Sequence, residues 1–401
     1  WNPSRYREIP TKARRAGARE HAIRRLEQTS DVLDFLVSVA REGRCACWIR
    51  NTVGDAIKAA LQLRSRIQSC GGDPCKVILF HARFTQGDRL RIESSVLNHF
   101  GPHSNEAQRS GYILIATQVV EQSLDLDFDE LVTDPAPMDL LLQRDGRLHR
   151  HVRDASGNRL PDESRADGRQ APFFTLFAPE ARSDIAEDWM SSFSPGTVGV
   201  YPDVALLWRS LRCIQSAETF SPINKARILI EEAFTAAPHR APLVLELATA
   251  KVRSVAERDS AAALHNTLVL DHGYRAEKAW ASENVVPSRL GLPTITLRLA
   301  RWEGGRVLPW ESEARDSSWE LSEVRIPQSW FEELMPMDLE LAAAIERTSL
   351  QFHDRGQWAP IIPLALSSKD RQWQAHVRNK RGNEVLWIYT PEQGLERASP
   401  N

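Results

Sequence analysis

Apolar runs alternate with helix-like patterns over the first half of the chain. The runs are apolar almost throughout, as expected of strands that are buried on both faces of a parallel sheet. Between the runs, apolar residues recur at helical spacing. The alternation predicts an α/β fold with helices on both faces of a parallel sheet. The predicted strands are residues 45–51, 76–81, 111–117, 128–133 and 172–177, and the predicted helices are residues 53–68, 88–100 and 139–149.

The pattern changes in the second half of the chain. Residues 153–170 are polar and contain Gly and Pro, which predicts an exposed loop. Two helices are predicted at residues 203–217 and 224–236. Short β-prone runs follow, with one helix near residues 337–347. The runs that predict strands are residues 294–300, 321–326, Ile361–Leu366 and 384–389.

These patterns divide the chain into three parts. The first α/β domain is predicted to cover residues 1–185 and a helical linker residues 186–261. A small α+β C-terminal domain is predicted over residues 262–401.

Composition narrows the class of protein. Of 401 residues, 42% are hydrophobic and 26% are charged, with a net charge of −2, as in an ordinary globular protein. No apolar run approaches about 18 residues, so no membrane span is expected. The basic residues 1–25 lack the apolar core of a signal peptide and are interpreted as a solvated arm. The first residue is Trp rather than Met, from which we expect a shortened or processed product.

The spacing of the cysteines bears on metal binding, disulfides and the cellular compartment. None of the five shows paired CxxC spacing, so we expect neither a bound metal nor a disulfide framework. This usage favours a reducing compartment, and we expect the protein in the cytoplasm.

Polar residues follow three of the predicted strands. They belong to the stretches Arg50-Asn51-Thr52, His81-Ala82-Arg83 and Thr117-Gln118. Carboxyl ends of parallel strands meet at one edge of a sheet, where ligands bind. Hydroxyl, amide and basic groups there can hold a phosphate backbone without reading base sequence. The alternative is helix capping by the two threonines and ordinary surface placement of the histidine and Arg83. The candidate nucleic-acid residues are Asn51, Thr52, His81, Arg83, Thr117 and Gln118.

A second block contains Gln143, Arg144, Gly146, Arg147 and Arg150. Arginine keeps its charge and grips oxygens in pairs, which suits a triphosphate during cleavage. On a continuous helix Gln143, Arg147 and Arg150 would share one face, with Arg144 turned aside. A glycine is costly inside a helix and hints at a close approach of the backbone to another group. The alternative is a solvated basic face.

Asp125, upstream of this block, is a candidate acceptor for a ribose hydroxyl. Its alternative role is a turn or cap before Phe128. Asp139 and Asp145 would be helix partners of the arginines if the basic face were merely solvated.

Residues 113–151 resemble motifs V and VI of superfamily 2 helicases, and beyond them the chain is similar to the CRISPR-associated helicase-nuclease of type I interference systems. The resemblance includes IRNTV at residues 49–53, LFHARF at residues 79–84 and WELSEV at residues 319–324. It departs at Asp145, where that family usually has a small residue. Further similar segments are residues 200–209, 226–231 and 288–291.

The resemblance implies a RecA-like second helicase domain and a role for each candidate residue. Arg147 and Arg150 would be arginine fingers on ATP. Asp125, Gln143 and Arg144, with Gly146, would contact the nucleotide or couple it to DNA. The six residues at the strand ends would touch single-stranded DNA, and the C-terminal domain would close over the DNA channel.

Motifs of the other helicase half are absent from the sequence. There is no GxxxxGK[ST] loop, no acidic box at a strand end and no paired His-Asp nuclease site; His272 and His353 stand alone. The resemblance then implies a partner half that brings the nuclease, the P-loop and the magnesium ion. Alone, the chain is expected neither to hydrolyse ATP nor to cut DNA.

Two hypotheses remain at this point. In the first, the chain is the C-terminal half of an ATP-dependent DNA translocase and nuclease recruited by the Cascade complex. In the second, it is a non-catalytic module that binds single-stranded DNA or Cascade.

Overall fold

The computed structural model describes most of the chain. Residues 288–291 and His272, which were considered above, lie outside the described residues. The described ranges are residues 20–121, 124–161, 166–217, 219–220, 222–235, 239–265, 293–312, 317–335, 338–353, 355–369 and 371–398.

The first half of the described chain forms one mostly parallel sheet. Its strands are β1 (His21–Leu26), β2 (Ala46–Ile49), β3 (Val77–Phe80), β4 (Ile113–Ala116), β5 (Glu130–Thr133), β6 (Phe173–Phe177) and β7 (Thr219–Phe220). Their order across the sheet is β3-β4-β2-β5-β6-β1-β7. Only β7, paired with β1, runs antiparallel among these described strands. The predicted parallel α/β sheet is therefore confirmed.

Helices cover both faces of this sheet. Neighbouring residues of β2 point to opposite faces, so that Trp48 packs in one apolar cluster and Cys47 in the other, and both are fully buried. Burial on both faces explains why the strand segments are apolar throughout. The helices of this half are α1 (Thr29–Arg41), α2 (Val53–Ser69), α3 (Gln86–Phe100), α4 (Glu106–Arg109) and α5 (Met138–Asp145).

A helical segment follows β6 and extends the same core. Its helices are α6 (Trp189–Phe193), α7 (Pro195–Val200), α8 (Val204–Gln215), α9 (Pro222–Thr235) and α10 (Leu243–His265). Trp208 and Leu211 of α8 are buried in the cluster that contains Cys47. The two helices predicted here, which correspond to α8 and α9, are confirmed to within about two residues, whereas the long α10 was not predicted.

The C-terminal part forms a second, mainly antiparallel sheet. Its strands are β8 (Thr294–Glu303), β9 (Arg306–Pro309), β10 (Glu323–Pro327), β11 (Glu333–Met335), β12 (Ile361–Leu366), β13 (Trp373–Arg378), β14 (Glu384–Thr390) and β15 (Gly394–Ala398). The described path is β10-β8-β12-β13-β14-β15, with β9 added to β8 and β11 to β13. Its helices are α11 (Ser318–Leu321) and α12 (Leu339–Ser349). The predicted α+β character of this region is confirmed.

A buried tyrosine joins the two sheets. The Tyr389 hydroxyl on β14 donates to Asp88 Oδ2 (2.6 Å) and accepts from the Thr85 N–H (2.9 Å). One strand further, the Leu395 N–H donates to the Arg83 carbonyl (2.8 Å). Gly394 has φ 73°, and a Cβ there would lie 2.7 Å from the Arg83 carbonyl oxygen, so a side chain would prevent this approach. The second sheet is thus fixed against the loop that leaves β3.

Two predictions about polar segments were wrong. The arm predicted over residues 1–25 includes part of β1, which lies between β6 and β7 in the sheet. Arg24 is accommodated there because its guanidinium packs over the rings of Phe35 (4.6 Å) and Phe173 (3.9 Å). The predicted loop at residues 153–170 is exposed only in part, since Arg153 and Arg169 are buried among acidic side chains.

Replacing Tyr389 by phenylalanine should weaken the contact between the sheets. The variant leaves the buried Asp88 carboxylate and the Thr85 N–H without the hydroxyl, which we expect to lower the free energy of unfolding by about 1–3 kcal/mol. Urea denaturation of both proteins measures the difference. Tyr112→Phe is the matched control, because its ring stacks on His99 and keeps that packing. Equal unfolding free energies for Tyr389→Phe and the parent would contradict the assignment.

Candidate functional site

The three polar loops predicted from the strand ends lie side by side. β3, β4 and β2 are adjacent and parallel, so their carboxyl ends meet at one edge. Hydrogen bonds tie the loops together: the Thr117 N–H donates to the Phe80 carbonyl (3.1 Å), and the Arg50 N–H to the Ala116 carbonyl (2.7 Å). The predicted convergence of the three loops is confirmed.

The polar groups of the first loop are engaged by other protein groups. Asn51 is buried, and its amide donates to the Pro135 carbonyl (2.7 Å) and to Thr197 Oγ1 (3.0 Å). Thr52 caps α2 by accepting from the Asp55 N–H (3.1 Å), which is the alternative role considered for it. The Asn51 amide is therefore enclosed and engaged by protein acceptors.

The second loop separates its two candidate residues. His81 is fully buried, accepts from the Arg83 N–H (3.1 Å) and contacts the Gln393 carbonyl (3.0 Å). Burial and the nearby Arg83 charge lower the pKa of His81 to about 3, so the ring is neutral. The alternative of ordinary surface placement was therefore wrong for His81, and both of its ring nitrogens are engaged by protein groups. The Arg83 guanidinium is half-buried over the Trp330 ring at 4.2 Å.

A groove of about 950 Å³ runs between this edge and the second sheet. The Thr117 side chain does not cap the short turn that follows it, contrary to the capping alternative, and it faces the groove. Gln118 donates from its amide to the Asn51 carbonyl (2.9 Å) and also lies on the wall. The charged residues that line the groove are three arginines, Arg83, Arg89 and Arg325, and three glutamates, Glu93, Glu320 and Glu323. The residues that line it include Arg83, Arg89, Thr117, Gln118, Thr296 and Arg325.

Arg144 on α5 is fully buried and makes five hydrogen bonds to protein acceptors. Nε donates to Glu121 Oε1 (2.7 Å), while Nη2 donates to Asn51 Oδ1 (3.2 Å) and to the Tyr201 hydroxyl (3.2 Å). Nη1 donates to Thr133 Oγ1 (2.8 Å) and to the Asp134 carbonyl (3.0 Å). All five of its N–H donors are thus engaged by protein acceptors, which leaves none for a nucleotide.

The helix that carries the arginines is shorter than predicted. α5 ends at Asp145 with Gly146 as its C-cap, and residues 147–149 run alongside Phe128 instead. The Phe128 N–H donates to the Arg147 carbonyl (2.9 Å), and the His149 N–H to the Phe128 carbonyl (3.0 Å). The predicted shared helical face of Gln143, Arg147 and Arg150 was wrong, because pairing with a distant segment replaces the last helical turn.

Gly146 and its neighbours also depart from expectation. Gly146 has φ −57°, and the nearest atom to a Cβ there would be the Gln143 carbonyl oxygen at 3.1 Å. The predicted close approach of another group to this glycine is not seen among the described residues. Asp145 is buried and pairs with His21 on β1 (2.7 Å). Gln143 is exposed on α5.

Arg147 and Arg150 differ from Arg144 in the partners of their guanidinium groups. Arg147 is 9% exposed, its Nη2 donates to the Glu121 carbonyl (2.9 Å), and its buried Nε has no partner among the described residues. Burial and the adjacent Arg150 charge lower the pKa of Arg147, yet a guanidinium remains charged at neutral pH. Arg147 therefore keeps one donor without a partner in the described part of the chain, beside the second cation Arg150.

Asp125 positions Arg150, the more exposed of these two arginines. Its Oδ1 accepts from Arg150 Nε (2.5 Å) and lies 3.0 Å from His151 Nε2. Partial burial opposes ionisation of this carboxyl, but His151 and Arg150 outweigh it and lower the pKa of Asp125. Side chains of Asp125 and Arg150 are 45% and 40% exposed, so a ligand could reach both.

Behind this surface lies a buried cluster of charges. Arg109 pairs with Asp129 (2.7 Å), Arg169 bridges Asp127 (3.2 Å) and Asp129 (2.9 Å), and Arg153 pairs with Asp127. Burial disfavours the charged carboxyl, but Arg169, Arg109 and Arg153 outweigh it and hold the pKa of Asp127 below its usual value. The cluster fixes the ends of the segment that carries Arg147 and Arg150.

Sequence reasoning missed several members of the site. Glu121 accepts from Arg144 through its side chain and from Arg147 through its carbonyl, and Tyr201 accepts from Arg144. The only available signal for Glu121 was its place in the stretch that follows Thr117. Nothing in the spacing of Tyr201 indicated a partner so far away in the sequence.

Comparison with known proteins gives a consistent picture. Residues 42–153 match the family model described as CRISPR-associated nuclease/helicase Cas3, C-terminal. A Cas3 endonuclease/helicase of Escherichia coli is 34% identical over 203 residues, which are 51% of this chain and 19% of the relative. A Cas3 endonuclease/helicase of Thermus thermophilus is 57% identical over 81 residues, 20% of this chain and 9% of the relative.

Solved structures share the fold over nearly the whole chain. The crystal structure of T. fusca Cas3-ATP has a TM-score of 0.68 at 20% identity and covers 97% of this chain and 43% of that one. A crystal structure of a CRISPR-associated protein has a TM-score of 0.72 at 23% identity and covers 100% and 43%. This chain thus spans less than half of the structures that it matches.

Both the fold and the sequence of this chain therefore resemble those of CRISPR-associated nuclease/helicases. More narrowly, the chain resembles the C-terminal half of Cas3, as the sequence analysis predicted. In the described part of the chain, no helix is both long and apolar enough to cross a membrane.

Replacing Asp127 by asparagine should destabilise the cluster behind the arginines. At pH 7 we expect a loss of about 3–5 kcal/mol in the free energy of unfolding, because Arg153 stays buried without its partner charge. The folded-state pKa of Asp127 is lowered, so its contribution is present above the unfolded value of about 3.9 and disappears as pH falls through the folded value. The difference between parent and variant should therefore shrink below about pH 4, as urea denaturation from pH 7 to pH 3 measures.

Asp34→Asn is the control for this experiment. Asp34 pairs with Arg66 on the exposed surface and should contribute less than about 1 kcal/mol. Similar losses for both variants, or a loss for Asp127→Asn that does not change with pH, would show that the cluster does not hold the segment.

Proposed function

We propose that this chain is the C-terminal half of an ATP-dependent single-stranded DNA translocase and nuclease that acts in CRISPR interference. Its role is to supply arginine fingers to an ATP site and backbone contacts to a DNA strand. The observation that carries the proposal is the pair Arg147 and Arg150, two cations side by side with an unpaired, buried Nε on Arg147.

Arg147 and Arg150 fit one side of a nucleotide triphosphate, whose other side would be held by a partner. Arg147 is fixed by the Glu121 carbonyl and retains donors for an oxygen anion, and Arg150 is held by Asp125 at the exposed rim. ATP supplies the phosphoryl group whose charge shifts during cleavage. Positioned guanidinium groups stabilise that charge, and fingers of this type contribute about 10³–10⁵-fold to the rate. The partner half would supply the P-loop and the magnesium ion.

DNA would lie in the groove between the two sheets. Arg83, Arg89 and Arg325 can neutralise phosphates, and Thr117 and Gln118 can donate to them without reading bases. In this proposal the loop of Asn51 and Thr52 supports the wall of the groove, because the Asn51 carbonyl holds the Gln118 amide. Tyr389 and Gly394 hold the second sheet as a fixed wall of the channel, which replaces the lid expected from the sequence.

Glu121 would couple the two ligands. It belongs to the short stretch after Thr117 and Gln118, its side chain binds Arg144, and its carbonyl binds Arg147. Movement of the groove loop by DNA would therefore shift a finger directly. Arg144 carries the same coupling to Asn51 and to Tyr201.

Partners follow from this assignment. The N-terminal half would bring the nuclease and the first RecA-like domain, and Cascade would recruit the assembled enzyme. A structure named CRISPR RNA-guided surveillance complex, pre-nicking, has this fold at a TM-score of 0.63 and 20% identity, which supports the same partner class. The division into residues 1–185, 186–261 and 262–401 belongs to the same proposal.

The alternative is a non-catalytic module that binds single-stranded DNA or Cascade. The groove alone would suit it. A binding module has no need of two adjacent arginines in the block that resembles motif VI, and this pair favours the enzyme half.

Arg147→Ala should abolish ATP hydrolysis in the assembled enzyme. With the N-terminal half and single-stranded DNA present, we expect kcat to fall by at least about 10³-fold, because the charge of the finger is removed. Phosphate release measures the rate. Arg41→Ala is the matched control, since Arg41 ends α1 on the opposite edge of the sheet and should leave the rate unchanged. Full activity of Arg147→Ala would refute the finger assignment and leave the binding module as the better account.

Arg83→Ala should weaken binding of single-stranded DNA by the chain itself. We expect a several-fold increase in Kd and a decrease of about 0.7 in the magnitude of the slope of log K against log salt, as for one lost phosphate contact. Fluorescence anisotropy with a labelled oligonucleotide, from about 50 to 300 mM salt, gives both values. An unchanged slope would mean that the strand does not pass through this groove.

A further inference from the structure

A cluster of three different side chains lies away from the groove and the arginines. It consists of Cys213 on α8, Glu232 on α9 and His239 after α9. One possible ligand atom from each residue lies within 4.8 Å of the other two. None of the three belongs to the helicase-like motifs, so the proposed function leaves the cluster unexplained.

The three residues are held on a packed framework. Cys213 is 3% exposed, and Glu232 and His239 are half-buried beside it. Arg209, one helical turn before Cys213, is 2% exposed and donates to the Ala233 carbonyl (2.6 Å), which fixes α8 against α9. The cysteine and the glutamate therefore face each other from two helices whose relative position is set by other contacts.

A fourth polar group lies next to the cluster. The Ser216 hydroxyl is 3.3 Å from His239 Nε2 and belongs to the C-cap residue of α8. Its position keeps the imidazole directed back toward α8. A second contact of this kind on an imidazole is the usual means by which a metal-binding histidine is oriented.

We propose that Cys213, Glu232 and His239 form a binding site for a zinc-like divalent cation. Sulfur, imidazole nitrogen and carboxylate oxygen together are the ligand set of Zn²⁺, whereas Mg²⁺ and Ca²⁺ take oxygen ligands. Three protein ligands leave the fourth tetrahedral position for water. The spacing CxxC is absent, which explains why the sequence analysis expected no metal here.

The three ligand atoms need to move only slightly closer together to bind one ion. Zn–S and Zn–N bonds of about 2.3 and 2.0 Å separate tetrahedral ligand atoms by roughly 3.3–3.7 Å. Rotation of the half-buried Glu232 and His239 side chains can supply the difference of about 1 Å. The thiol proton of Cys213 is released to solvent as the metal–sulfur bond forms. The bound ion would clip the end of α9 to α8, a structural role independent of ATP and DNA.

Cobalt titration of the purified chain tests the site directly. Co²⁺ substitutes for Zn²⁺ and reports a thiolate ligand through a near-ultraviolet charge-transfer band. We expect one Co²⁺ per chain with that band and with visible bands of a tetrahedral ion, all removed by added Zn²⁺. His239→Ala and Glu232→Gln should each weaken binding at least about tenfold.

Two cysteine variants separate this site from the exposed thiols. Cys213→Ser should lose the charge-transfer band, and circular dichroism of the unloaded variant checks its fold. Cys70→Ser with Cys75→Ser removes the two exposed cysteines and should leave the band and the affinity unchanged. A band that disappears with the exposed cysteines, or one that survives both Glu232→Gln and His239→Ala with unaltered affinity, overturns the proposal.

Discussion

The buried guanidinium of Arg144 is the constraint on which the rest of the candidate site depends. A charge with no exposure is tolerated only when its donors are satisfied, and each of its three nitrogens meets an acceptor. Those acceptors come from the ends of β2 and β5, from the loop after β4 and from the segment before α8. A single side chain thereby fixes the relative positions of four segments that are distant in the sequence.

The three arginines of the block differ in how far their donors are committed. All donors of the enclosed Arg144 have protein acceptors, whereas Nε of Arg147 has none among the described residues. Arg150 lies at the exposed rim, paired with Asp125. The buried charges of Asp127 and Asp129 hold the segment from behind. The same residue type therefore serves as a buried anchor at Arg144, a largely buried cation at Arg147 and an exposed one at Arg150.

The sheet could be predicted from sequence because burial on both faces demands apolar strands. Trp48 and Cys47 illustrate that requirement, since both are fully buried on opposite faces. β1 escaped notice because arginines interrupt it, and Arg24 is tolerated only through packing on two aromatic rings. The end of α5 was misplaced for a related reason: pairing of Leu148 with Phe128 is a long-range contact that local spacing cannot reveal. For the candidate site, the sequence could predict which residue types gather there but not what each one does. Whether a side chain such as that of His81 is enclosed depends on residues far along the chain.

The central claim is that Arg147 faces a nucleotide held by another domain. The most direct measurement is a structure of this chain assembled with its P-loop-bearing partner, ADP and a metal fluoride in place of the transferred phosphoryl group. The account predicts that a guanidinium nitrogen of Arg147 lies about 3 Å from the fluoride group, with the bond from Arg147 to the Glu121 carbonyl retained. A separation of more than about 6 Å, with the guanidinium turned away from the nucleotide, would contradict it.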